Sequence, residues 1–164
     1  MSNDMSFKPV ILIYDLKNTL VDEIAATIGA TGQYTTINTY NEGNAQEAVR
    51  QYDRLFGVLT NKLSCVITGW NHHKKRRDQF LFWLRSQERR SKLRKPTPVI
   101  LVSEDHLPEL KHMALDPADG DVAAYLDSDQ FRESLNLILR KIVIEGKARE
   151  LNSVAYAEAL NDEA

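Results

Sequence analysis

Three short stretches of this chain are apolar almost throughout: Val10-Ile11-Leu12-Ile13-Tyr14, Leu63-Ser64-Cys65-Val66-Ile67-Thr68-Gly69 and Val99-Ile100-Leu101-Val102. Successive side chains of a strand point to opposite faces, so a strand with no polar face must be covered on both sides. That condition is met in the middle of a parallel sheet with helices above and below it. The segments between these runs have the matching helical period. Leu20, Ile24 and Ile28 recur at i, i+4 and i+8, and Ala45, Ala48, Val49, Tyr52, Leu55, Phe56 and Leu59 fall on one face of a helix over 45–59. Five alternations of strand and helix follow, and they predict a five-stranded parallel sheet sandwiched between helices.

The weaker elements fill in the pattern. Tyr34 to Tyr40 is rich in Thr, Tyr and Ile and reads as a more exposed strand, followed by a turn at Asn41 to Asn44. The third helix takes in the basic stretch and Phe80-Leu81-Phe82-Trp83-Leu84, ending before Pro96 and Pro98. A short helix over 107–115, a polar loop over 116–121 and a fifth strand from Val122 to Leu126 come next. A last strong helix then begins near Asp129, with Phe131, Leu135, Ile138 and Ile142 inward. It is expected to continue through Gly146 into a tail with a modest second stripe. The chain therefore divides into a domain over 8–144 and a helical extension over 145–164. Chemistry in such sheets gathers at the carboxyl ends of the strands, where Asp15, Thr68, Gly69 and Ser103 all fall.

Charge is unevenly spread. Ten of the 21 Lys and Arg residues lie between His72 and Lys95 against only Asp78 and Glu88, so this segment carries +8 in a chain of net charge −2. From Glu104 to Glu133 nine acids face only Lys111 and Arg132, for −7. Such a dipolar molecule suits salt-sensitive association with a partner or with itself. One cysteine, Cys65, excludes an internal disulfide and reads as an inert core thiol. No apolar run is long enough for a membrane span and no secretory pattern opens the chain, so a cytoplasmic location is expected. His72 and His73 are adjacent and point different ways, with no acid cluster to complete a metal site; no metal or cofactor is expected.

With the strand ends placed, the chain resembles the response-regulator receiver domain, a flavodoxin-like (βα)5 three-layer sandwich, over roughly residues 8 to 144. Ile11-Leu12-Ile13-Tyr14-Asp15 is similar to its first strand and acidic end. Pro98-Val99-Ile100-Leu101-Val102-Ser103 is similar to its fourth strand with a hydroxyl switch residue, and Tyr125 stands where the family has its switch aromatic. The resemblance implies a phosphorylation site that this chain lacks. Leu16 replaces the second Mg²⁺-binding acid, Thr68 or Gly69 stands where the acceptor aspartate belongs, and Ser128 replaces the lysine. Phosphoryl transfer onto a protein needs an acceptor carboxylate and a divalent cation. The expectation is a phosphorylation-independent pseudo-receiver, not an enzyme, whose partner face or homodimer interface is the fourth helix, fifth strand and fifth helix. Val66 to Trp70 is also loosely similar to the third strand of the wing domain of pyridoxal-phosphate-dependent basic amino-acid decarboxylases, itself receiver-like.

Two other readings compete. Asp15-Leu16-Lys17-Asn18-Thr19-Leu20 resembles the first motif of haloacid dehalogenase-type phosphatases, with Asp15 as nucleophile, Thr68 or Ser103 binding phosphate, and Asp121 or Asp127 as a late metal ligand. Lys17 occupies the place of that family's general acid/base. The basic segment over 72–95 could instead bind nucleic acid by neutralising phosphates, with aromatic side chains stacking on bases. Lys74, Lys75, Arg76, Arg77, Trp83, Arg89 and Arg90 are the candidate partner-binding residues, and Phe82 or Trp83 is expected to be exposed.

Overall fold

The computed structural model describes residues 8–54, 62–71, 78–90 and 95–162, with no side-chain description for 53 and 54. Five strands, β1 (Val10–Tyr14), β2 (Thr35–Thr39), β3 (Leu63–Thr68), β4 (Val99–Ser103) and β5 (Ala124–Asp127), form one sheet in the order β2-β1-β3-β4-β5. Every neighbouring pair is parallel. Among the described residues six α-helices accompany them: α1 (Asn18–Gly29), α2 (Glu42–Arg54), α3 (Phe80–Arg90), α4 (Pro108–Leu115), α5 (Leu135–Val143) and α6 (Ala148–Asp162). This is the predicted flavodoxin-like sandwich.

The sheet separates two cores, and the strand alternation decides which side chain joins which. Ile11, Ile13, Cys65, Ile67, Ile100 and Val102 face α1 and α5. Leu12, Tyr14, Val66, Val99 and Leu101 face the opposite layer, with Ala45, Val49, Phe80, Leu84 and Leu115 from α2, α3 and α4. All residues of β1 and β4 are buried, as doubly covered strands must be. β2 is an edge strand and mostly half-exposed. Cys65 is fully buried, and burial pushes its thiol up to about 12, which keeps it an unreactive core group at neutral pH.

The structure corrects several boundaries. The expected turn at 41–44 is largely the first turn of α2, because the Asn41 side-chain oxygen accepts the Asn44 N–H at 2.8 Å and so caps the helix. Residues 55–59 of the predicted second helix lie outside the described residues. β5 starts at Ala124, with the preceding Ala123 N–H bonded to the Val99 carbonyl. A short 3-10 turn over Phe131–Glu133 precedes α5, and Leu139 joins Leu135 and Ile142 in the core while Ile138 is only half-buried.

The tail does not continue α5. Gly146 adopts φ +66°, a left-handed conformation open to glycine at little cost, and the chain turns there. α6 then runs back across the β5 side of the sheet. Its first turns, Ala148 and Leu151, pack on the α1/α5 core, while Ala155, Tyr156 and Ala159 pack on the α3/α4 core. Asn152, 1% exposed, donates from Nδ2 to the carbonyls of Leu115 at 2.8 Å and Val122 at 2.7 Å. Arg149 makes a two-point ion pair with Asp121, 2.8 Å to each oxygen. The extension is thus docked on its own domain and covers part of the α4–β5 surface.

Candidate functional site

Strand polarity brings Asp15, Thr68, Gly69 and Ser103 to one edge of the sheet, as expected, and Ser128 joins them there. A cleft of about 660 Å³ opens there between the start of α1 and the β4–α4 connection. Asp15, Leu16, Lys17, Leu20, Trp70, Ser103 and Ser128 line it, together with the run from Glu104 to Pro108. Thr68 is buried beside the cleft with its hydroxyl directed to the Gly69 carbonyl.

The end of β3 is closed against the neighbouring strands. A Cβ placed on Gly69 would overlap the Asp15 carboxylate and stand 2.8 Å from the Val102 carbonyl oxygen. Glycine is therefore the residue that lets Asp15 lie across the strand end. Asp15 accepts the Lys17 backbone N–H at 2.9 Å, closing the turn into α1. Burial raises its carboxyl pKa from the ordinary value, opposed by the Lys17 and Leu16 N–H groups and the Lys17 charge. The Lys17 ammonium itself bonds Glu104 at 3.2 Å.

Tyr125 does not line the cleft but holds two residues that do. Its hydroxyl accepts the Trp70 indole N–H at 2.9 Å and donates to the Asp105 carbonyl. Burial raises the phenol pKa, so it remains a donor at neutral pH. The Trp70 ring stacks on Phe82 at 6.2 Å. Ser103 accepts the Asp105 N–H at 2.9 Å, and the Ser128 N–H bonds the Ser103 carbonyl. His106 lies 2.7 Å from Asp127. Trp70 links the β3 end to β5.

The two candidates for the phosphatase motif's late metal ligand lie at opposite edges of the sheet. Asp121 precedes β5 and so lies at the amino edge of the sheet, away from Asp15, where Arg149 holds it. Asp127 is at the correct edge but engaged with His106. Among the described residues, no group of three His, Cys, Asp or Glu side chains could hold a metal ion.

The basic segment is only partly a surface feature. Lys74, Lys75, Arg76 and Arg77, with His72 and His73, lie outside the described residues. Arg85, 4% exposed, reaches the carbonyls of Gly120, Thr97 and Asp121 and pairs with buried Glu88 at 2.7 Å. Arg89 bonds the carbonyls of Ala118 and Asp119. Arg85 therefore holds loops from inside, while Arg89 bonds its carbonyls at the surface and Arg90 is exposed. The exposed aromatic expected at Phe82 or Trp83 is absent. Phe82 is buried against Trp70, and Trp83 is half-buried, stacked on Phe80 with the Arg50 guanidinium 5.5 Å from its ring. α3 spends more of its aromatic surface on packing than a one-sided stripe requires, because Trp70 and Arg50 bring cover from neighbouring elements.

Among the described residues, no helix is long and apolar enough to cross a membrane. No family model matches the sequence, and no curated protein matches it. Solved structures do. The signal receiver domain of an HD domain-containing protein from Pseudomonas fluorescens is 18% identical, with a TM-score of 0.63 over 85% of this chain and 96% of that one. The chemotaxis protein CheY4 of Vibrio cholerae is 14% identical, with a TM-score of 0.61 over 82% and 98%. A CheY-like response regulator receiver domain from Methanospirillum hungatei is 17% identical, with a TM-score of 0.59 over 90% and 98%. Together with the strand order β2-β1-β3-β4-β5, these likenesses establish that the chain has the fold of the response-regulator receiver domain.

Proposed function

We propose that this chain is a receiver-like regulatory module that works through protein–protein contact and is not itself phosphorylated. The observation that carries the reading is the closed end of β3. The acceptor carboxylate of a receiver falls on Thr68 or Gly69 here: Thr68 carries a hydroxyl, and Gly69 has no room for a side chain between Asp15 and the Val102 carbonyl. An acyl phosphate needs a carboxylate there and a divalent cation to offset the charge of the transferring group. Asp15 is followed by Leu16, and Ser128 supplies no cation. Asp15, Thr68, Gly69, Ser103 and Ser128 are then the remains of a phosphorylation site, and Tyr125 the counterpart of the switch aromatic, here held by Trp70 and Asp105.

The surface of α4, β5 and α5 remains the proposed partner face, with the amendments that α6 forms part of it and that α5 brings Arg140 and Lys141 rather than acids. A cytoplasmic location goes with this reading. Nucleic-acid binding loses support because Arg85 is buried and the Arg89 guanidinium is engaged with the Ala118 and Asp119 carbonyls. The test is incubation with acetyl phosphate and Mg²⁺ followed by intact mass measurement. The expected result is no phosphoryl adduct; an adduct on any aspartate would overturn the reading.

A further inference from the structure

The cleft beside Asp15 has an uneven charge balance. Three carboxylates line it, at Asp15, Glu104 and Asp105, together with two basic side chains, Lys17 and His106. Lys17 is engaged by Glu104 and His106 by Asp127. Asp15 is stabilised by the Lys17 and Leu16 backbone N–H groups and Asp105 accepts that of Leu107, and among the described residues neither forms an ion pair. Asp15 is also partly desolvated, with its carboxyl shifted upward by burial. A half-buried carboxylate in this condition gains most from a cation brought to it.

The rim is apolar. Leu16, 52% exposed, projects from the β1–α1 turn, and Leu107, 50% exposed, from the β4–α4 connection. Both line the cleft, with Leu20, Trp70 and Pro108 completing its apolar wall. Two large side chains left in water beside unpaired carboxylates match a ligand that alternates positive charge with apolar groups. The open rim favours an extended chain over an enclosed metabolite.

We propose that this cleft docks a basic segment of a partner protein, with a Lys or Arg entering between Asp15 and Asp105 and its apolar neighbours covering Leu16 and Leu107. The inference rests on the protein-contact reading above and names its site and partner chemistry. It can fail while the chain still proves resistant to acetyl phosphate, so the two failures are distinguishable.

The probe is a short peptide of alternating Arg and Leu, with a control in which Glu replaces Arg. Binding is read by Trp70 fluorescence in the Trp83→Phe background, which leaves Trp70 as the only indole. The Arg–Leu peptide is expected to shift the signal and to lose affinity as salt rises. Asp15→Asn and Asp105→Asn should each weaken it by about tenfold or more, the worth of one charge-assisted hydrogen bond. Leu16→Ser and Leu107→Ser should weaken it as well. Asp119→Asn and Asp129→Asn, acids on the same acidic segment that do not line the cleft, should leave it unchanged. Equal binding of the Glu–Leu peptide would overturn the proposal. So would unchanged affinity in both Asp15→Asn and Asp105→Asn, or equal loss in Asp119→Asn. Saturation by n-butylammonium at the same concentration as the peptide would reduce the site to one for small amines, and displacement of the peptide by inorganic phosphate would make it an anion site; either result also overturns it.

Discussion

Glu88→Ala should be among the most damaging single substitutions in the described part of this chain. Glu88 is 5% exposed and Arg85 4%. One Glu88 oxygen lies 2.7 Å from the Arg85 guanidinium, and the other accepts the Thr97 N–H at 2.6 Å. Removing the carboxylate leaves a buried cation with carbonyl partners only, and leaves the Thr97 amide without its acceptor. Breaking a buried pair from one side costs about 3–5 kcal/mol, a large share of a domain stability of about 5–15 kcal/mol. Replacing both partners by apolar residues is often harmless for a buried pair, but here it should not be. Arg85→Met with Glu88→Leu also strips the guanidinium from the carbonyls of Gly120, Thr97 and Asp121, at about 1–3 kcal/mol for each group left unsatisfied. Urea denaturation followed by circular dichroism measures both variants, through the midpoint at unchanged slope. A loss below about 1 kcal/mol in Glu88→Ala, set against the range expected for a buried pair, would refute the reasoning. Full recovery in the double variant would refute the part assigned to the carbonyls.

Other outcomes follow from the site and the tail. Asp15→Asn should stabilise the protein at neutral pH. The folded-state pKa is raised above the unfolded one by burial, so the ionised group costs stability above that pKa, and the advantage of the variant should vanish as acid protonates the wild type. Thermal melts of the two proteins across the acid range check this; a gap that widens on acidification would contradict the sign. Gly69→Ala should destabilise by about 1–3 kcal/mol, as overpacking does, because its Cβ meets Asp15 and a backbone carbonyl. Tyr125→Phe should change Trp70 emission by removing the acceptor of its indole N–H, and cost about 1 kcal/mol in urea denaturation. Asn152→Ala should raise amide exchange in α6 and at its contact with α4, since two buried carbonyls lose their donor.

What could be read from the sequence was what depends on local pattern. The apolar runs of β1 and β4 require cover on both faces, and that demand leads to the parallel sheet and places Asp15, Thr68, Gly69 and Ser103 on a common edge. What could not be read depends on partners distant in the chain. Arg85 and Glu88, three residues apart, look like an exposed helical pair; their burial is decided by carbonyls at 97, 120 and 121. The break at Gly146 is equally hidden. A glycine within a helical pattern is either tolerated at a cost or ends the helix, and the docking of Asn152 and Arg149 against the α4–β5 region shows which applies. Trp70 and Tyr125 are 55 residues apart, and nothing in either neighbourhood announces their bond.

The reversal at Gly146 also decides geography. α5 belongs to one layer of the sandwich, yet the last turns of α6 rest on the other, near α4. A polypeptide joined after α6 would be delivered to the opposite side of the sheet from one joined after α5. A fusion partner, a tag or a reporter dye would then sense events at α4 first, and the choice of attachment point selects which half of the molecule is heard.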